Sequence, residues 1–292
     1  MKTIATGLIF FVAACFCGVS QAQSLQWKLK KGQVLSIESI NEMVTMVKLP
    51  DGSTQEMPMK NQIDTEWKVS DSDDKSFAVE TTIKRARTSM KSPFVNVDYD
   101  SEKEAPKDPV GKQLAASIKQ VLGIPILMKI GRQGNLLEMK LPESIQKLGE
   151  DATGPIPTRS LESFFASSQQ LQIPEGEMKI GTKWEQTIKS NDNGMQTKAN
   201  VTYRYEGAVE EGGRKLAKIL TEATTELVQS PQGIELSLED VGSQGEIFFD
   251  IELGCITKAV QRQKHRLIMN VGGQKVSQDI EGSTTTIFRL AN

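Results

Sequence analysis

Residues 35–70 read LSIESINEMVTMVKLPDGSTQEMPMKNQIDTEWKVS, and their apolar members favour odd positions: Leu35, Ile37, Met43, Val47 and Leu49, then Met57, Met59, Ile63, Trp67 and Val69. A period of two sustained this long describes half-buried strands rather than helix. Pro50-Asp51-Gly52-Ser53 separates the two runs and supplies hairpin turn chemistry. A third strand follows the polar turn at 70–76, with Phe77, Val79 and Ile83 on one face. The block therefore predicts an antiparallel meander.

The same style returns near the C-terminus. Trp184–Lys189 and Met195–Tyr205 flank Asn191-Asp192-Asn193-Gly194, a hairpin signal, and Thr197, Ala199, Val201, Tyr203 and Tyr205 share a face. Glu210-Glu211-Gly212-Gly213 turns into Leu216–Val228; Gly245–Ile251, Ile256–Val271 and Lys275–Leu290 complete the strands, with Gly272-Gly273 turning the last pair. Between the blocks, 99–108 is a charged loop. Asp108-Pro109 then reads as an N-cap with Pro at the first helical position, and Val110, Leu114, Ile118, Val121 and Leu122 recur at helical spacing up to Gly123. Residues 124–130 and 136–140 return to strand around a Gly131–Gly134 turn. A short helix follows Pro142, and another starts near Thr158 with Leu161, Phe164 and Phe165 on one stripe.

The expected fold is mainly β (α+β): curved antiparallel sheets or half-barrels, with two or three helices packed on them. Gly32-Gln33-Val34-Leu35 matches Gly181-Thr182-Lys183-Trp184 as a strand opening, and 126–136 matches 247–256 around a Gly turn, so the strand blocks read as an internal duplication. The expected organisation is 1–22 signal peptide, 23–176 N-terminal strand block plus helical segment, and 177–292 C-terminal strand block. The competing architecture, an outer-membrane barrel, wants an apolar exterior and aromatic girdles. Three Trp, three Tyr and ten Phe in 292 residues, with helices in the middle, count against it.

Lys2 followed by the uncharged run Ile4–Phe16 and by Ser20-Gln21-Ala22 predicts an export signal cleaved after Ala22. Val12-Ala13-Ala14-Cys15 offers the alternative of a lipobox, with lipidation at Cys15. The expected location is periplasmic or extracellular, or lipid-anchored through Cys15. No later segment reaches the ~20 apolar residues of a spanning helix. A cut after Ala22 leaves Cys255 as the one cysteine, which excludes an internal disulfide in the mature chain.

Thirty-five Lys+Arg against 37 Asp+Glu give a net charge of −2, which argues against nucleic acid as a partner. One His and three Cys are too few for most zinc, haem or iron–sulfur sites, and no cofactor is expected. His265 sits between Lys264 and Arg266, a poor setting for a general base, and no G-x-S-x-G occurs. Asp71-Ser72-Asp73-Asp74 fails the EF-hand register, because Lys75, Ser76 and Thr82 stand where ligands and a Gly are needed. Glu239-Asp240 and Asp250-Glu252 are acid pairs that a hydrolase could use only if they faced one another across a cleft. Lys28-Leu29-Lys30-Lys31 reads as a solvated strand edge. No catalytic, cofactor-binding or metal-ligating residue is assigned.

Met43, Met46, Met57, Met59, Met90, Met128 and Met139 give the first half flexible thioethers that suit varied apolar ligands. The leading expectation is an exported non-catalytic protein binding a lipid or other apolar or amphipathic ligand, or an envelope protein, in a sheet–helix groove. The alternatives are an envelope-interaction protein without a pocket and, more remotely, a carboxylate-based hydrolase.

The export signal, Gly181–Trp184, the YDS tripeptide at Tyr99–Ser101, Gly123-Ile124-Pro125 and the Gly-turn strand at Ile247–Ile256 form an ordered pattern. It resembles an uncharacterised family of secreted bacterial proteins common in planctomycetes, whose members carry no assigned activity. More distantly, helices laid on a curved antiparallel sheet resemble the periplasmic lipoprotein-carrier fold.

Overall fold

Long alternating runs become long strands. The computed structural model describes residues 23–49, 52–92, 96–150, 171–192, 194–231, 235–271 and 274–291, with side chains 23, 147–150, 192, 271 and 274 outside that description. The signal at 1–22 with its cut after Ala22 and Cys15, the helix near Thr158, and the turn tips at 50–51, 193 and 272–273 lie outside the described residues. In chain order the strands are β1 (Gln23–Ser24), β2 (Val34–Lys48), β3 (Thr54–Ser72), β4 (Ser76–Lys91) and β5 (Asn96–Asp100). Helix α1 (Pro109–Lys119) precedes β6 (Ile126–Gly131) and β7 (Leu136–Lys140), and α2 (Glu143–Glu150) precedes β8 (Glu177–Met178). Then come β9 (Lys183–Asp192), β10 (Met195–Glu211), β11 (Arg214–Gln229), β12 (Glu235–Asp250), β13 (Cys255–Val271) and β14 (Gln274–Ala291).

Apart from the β1–β8 bridge, the strands form one 12-stranded antiparallel sheet in the order β7-β6-β4-β3-β2-β14-β13-β12-β11-β10-β9, with β5 also on β4. The expected mainly β fold with a curved, unclosed sheet and helices is what the chain adopts. The two strand blocks meet where β14 pairs with β2, from Ser277↔Lys48 to Ala291↔Val34. Register and period two put Leu35, Ile37, Trp67, Phe288, Ile219 and Phe249 on the concave face, where they are buried. The convex face carries cross-strand ion pairs such as Lys60–Glu42 (2.7 Å), Arg87–Asp64 (2.7 Å) and Lys218–Glu246 (2.9 Å). Pairs this exposed add little stability, but they place charges on the convex face, where a membrane barrel carries an apolar exterior.

One end of the sheet is plugged by residues 25–29, and here the structure corrects the sequence reading. Lys28–Lys31 is no strand edge: Leu29 is only 1 % exposed, and the segment threads across the base. Trp27 N donates to Arg132 O (2.8 Å) in the β6–β7 turn, and Lys28 N to Gly254 O (2.9 Å) in the β12–β13 turn. Lys28 Nζ also donates to Ile251 O at 2.8 Å. The Arg132 guanidinium donates to Trp27 O (3.1 Å), Leu29 O (3.2 Å), Ser72 Oγ (2.9 Å) and Asp73 O. The Trp27 indole lies edge-on to Phe249 (5.8 Å between centroids) and beside Phe77 and Trp67 at 6.1 and 6.3 Å.

The matched strand openings carry matched bonds. Gly32 N donates to Val69 O and Val69 N to Gln33 O, both at 2.9 Å, while Gly181 N donates to Tyr205 O (2.8 Å) and Tyr205 N to Thr182 O (3.0 Å). Both glycines adopt left-handed φ, 89° and 87°, the reason each opening needs that residue. The partner strands then bulge at the same step, between Val69 and Asp71 and between Tyr205 and Gly207.

Helix α1 starts as predicted, with the Asp108 side chain accepting from Gly111 N at 2.7 Å and Pro109 in its first turn. It rests on β5, where Ala115, Leu114 and Ile118 pack with Val97 and Tyr99.

Candidate functional site

Above the plugged base the concave face encloses a cavity of about 690 Å³, within the ~300–1,000 Å³ range usual for ligand sites. Its floor is Trp67, Phe288, Ile37, Val201, Ile247 and Ile256. One side is closed by Ile118 and Val121, from α1 and the turn after it, and by Leu171. The cavity is thus a sheet–helix groove.

Cross-strand register sorts the concave side chains into bands. The row Gln261–Thr284–Asn41–Asn61–Thr88 crosses β13, β14, β2, β3 and β4 and consists wholly of amides and hydroxyls. Asn41 Nδ2 donates to Thr284 Oγ1 at 2.9 Å, and one row deeper the Ser39 and Thr286 hydroxyls lie 3.3 Å apart. Toward the hairpin tips the next row is Gly282–Met43–Met59–Met90, half-buried and apolar. On the other limb the polar row continues through Gly245 and Thr221 to Tyr203, whose hydroxyl pKa burial pushes up. A Cβ on Gly245 would lie 2.6 Å from Val260 O and 2.7 Å from Thr221 Oγ1, so only glycine lets these strands approach here.

Deep in the floor, Thr81 faces Trp67 across β4 and β3 and is fully buried. Its Oγ1 has no hydrogen-bond partner among the described residues. Buried hydroxyls are almost always satisfied, so one left over on a cavity wall marks where a further polar atom belongs. Among the described lining residues there is no Asp, Glu, Lys, Arg or His.

The residues singled out for chemistry are scattered. His265 is on the concave face opposite Ile280 on β14, beyond the methionine row, and burial lowers its pKa. Cys255 opens the same strand ten residues earlier, ~33 Å away at the usual strand rise, with its thiol pushed up to about 12 by burial and by the Asp250 charge. Asp250 is buried and folds the β12–β13 turn, accepting from Glu252 N (3.0 Å) and Leu253 N (2.9 Å). Asp240 pairs with Arg266 at 3.4 Å. Asp73 caps its own turn through Lys75 N and Ser76 N, whose bonds lower its pKa. Among the described residues, no three His, Cys, Asp or Glu side chains come together as a metal site would need.

The methionines stand out in the sequence, whereas the polar row does not. Its signal was present as gaps in the odd-position apolar series of residues 35–70, at Ser39, Asn41, Asn61 and Thr65.

No protein-family model matches the chain, and no curated protein does. Among solved structures it is similar to lipovitellin, described for its lipid–protein interactions, with a TM-score of 0.49, 11% identity and coverage of 91% of this chain and 26% of that one. It is also similar to an outer membrane channel from Pseudomonas putida F1 (TM-score 0.26, 6% identity, 90% of this chain and 97% of that one). A third is the translocator domain of the autotransporter NalP from Neisseria meningitidis (TM-score 0.19, 10% identity, 88% of each). The chain spans about a quarter of the lipovitellin chain. No described helix is long and apolar enough to cross a membrane.

Proposed function

We propose that this chain is a non-catalytic binding protein that holds an apolar or amphipathic ligand in the concave cavity. The observation that carries the reading is the cavity of about 690 Å³ with an aromatic and aliphatic floor, on a sheet whose other face carries ion pairs. Such a shape keeps a poorly soluble molecule out of water while the whole remains dispersed. The reading includes export: removal of 1–22 by a cut after Ala22 would release the chain at Gln23, which already pairs with Met178 in β1–β8. Acylation at Cys15 would instead tether the same fold to a membrane. The matched openings at Gly32 and Gly181 support residues 23–176 and 177–292 being two copies of one unit that share a core. Native mass spectrometry of protein purified from its natural host tests the function: a retained lipid-sized mass is expected, and a bare polypeptide mass overturns it in favour of a protein that works through its surfaces. The mass of the mature N-terminus distinguishes Gln23 from acylated Cys15.

A further inference from the structure

We infer that the ligand is an uncharged amphiphile: a hydrocarbon tail on the Trp67–Phe288 floor, with hydroxyl, ester or amide groups at the polar row and one polar atom reaching Thr81. The inference rests on the cavity being a binding site and specifies its chemistry. A carboxylate or phosphate head desolvated at this depth needs a cation or a convergent set of donors, because burying an unpaired charge costs far more than burying a neutral dipole. The described lining offers no Lys, Arg or His. What it offers is Asn61, Gln261, Thr284 and Thr88, groups that donate and accept alike and therefore suit hydroxyls and carbonyls. Thr81 adds the second observation, a fully buried hydroxyl on the cavity wall without a partner among the described residues. A simple alkane would leave it unsatisfied, and water alone would sit poorly among Trp67 and Ile83. A neutral ligand oxygen at that depth satisfies it.

The full chain lacking 1–22 is titrated at pH 8, following tryptophan fluorescence, with three probes sharing one oleoyl chain: monooleoylglycerol, oleate and lysophosphatidylglycerol. Monooleoylglycerol is expected to bind at least ten-fold more tightly than either anion. Thr81→Val should weaken it about five-fold, the usual worth of one neutral hydrogen bond, and leave the affinity for octadecene unchanged. Asn61→Leu, at a partly exposed position that tolerates exchange, should do the same and carries the test if Thr81→Val does not fold. Equal or tighter binding of an anion, or variants that leave monooleoylglycerol affinity unaltered, overturns the neutral-head inference while the binding site stands. Saturable binding by none of the probes overturns the binding-site reading itself.

Discussion

The Asp100 carboxylate receives Arg85 Nε at 2.9 Å and Nη2 at 2.6 Å, and its neighbour Ser101 exchanges bonds of 2.9 and 3.0 Å with the Ala86 backbone. The YDS tripeptide is therefore a clasp that seats β5 on β4 beside the bulge in that strand. The Arg85 guanidinium holds the carboxyl down to about 2, against an ordinary value of 3.8. The proton thus binds the unfolded chain more readily, so the stabilisation is complete above the ordinary value and disappears as pH falls toward about 2. Asp100→Asn should lower the urea midpoint at pH 7 and flatten its dependence between pH 4 and 2; an unchanged profile would show that Arg85 gains nothing from the charge. Cys255 gives the complementary prediction. Buried, with its thiol pushed up to about 12, it should not react with a disulfide reagent at pH 8 until denaturant opens the fold. Rapid labelling of native protein would contradict its placement.

Among the elements, the threaded segment 25–29 matters beyond its length. Trp27 is 4 % exposed and touches three aromatic rings, so Trp27→Ala should cost about 3–5 kcal/mol in urea unfolding. Gly254 opposes it: at φ 65° a Cβ would lie 2.4 Å from Lys28 Cβ, whereas Gly212 at φ 58° has nothing within 4 Å. Gly212→Ala should therefore lose only the left-handed penalty, about 1 kcal/mol, and Gly254→Ala distinctly more; equal shifts in Tm would mean that the segment does not press on that turn. Strand alternation, both start signals of α1 and the hairpin chemistry were legible in the sequence because each is local. The far halves of β4 and β12 were not. Register shifts between Asp64 and Thr65 and between Glu239 and Gly242 swap the faces of the side chains beyond them, so a strict period of two fails across Lys84–Arg87 and across 235–244. The polar row escaped for a related reason: its members come one per strand from five strands, and only register brings them together.

For the whole molecule, the β14–β2 ladder makes the two strand blocks interdependent. The shared core takes Leu35 and Trp67 from the first block and Tyr203 and Phe249 from the second. Residues 23–176 and 177–292 produced separately should fail to give the dispersed near-UV circular dichroism of the intact chain, and mixing them should restore it; two well-folded halves would refute a common core. Ser39 meets Thr286 and Lys28 meets Ile251 across 247 and 223 residues, so most loop-closure entropy must be lost before these contacts form. Until β14 is made, β2 has no neighbour on that side. A nascent polypeptide of this design therefore stays open along that seam until β14 has been made, and acquires its final shape late.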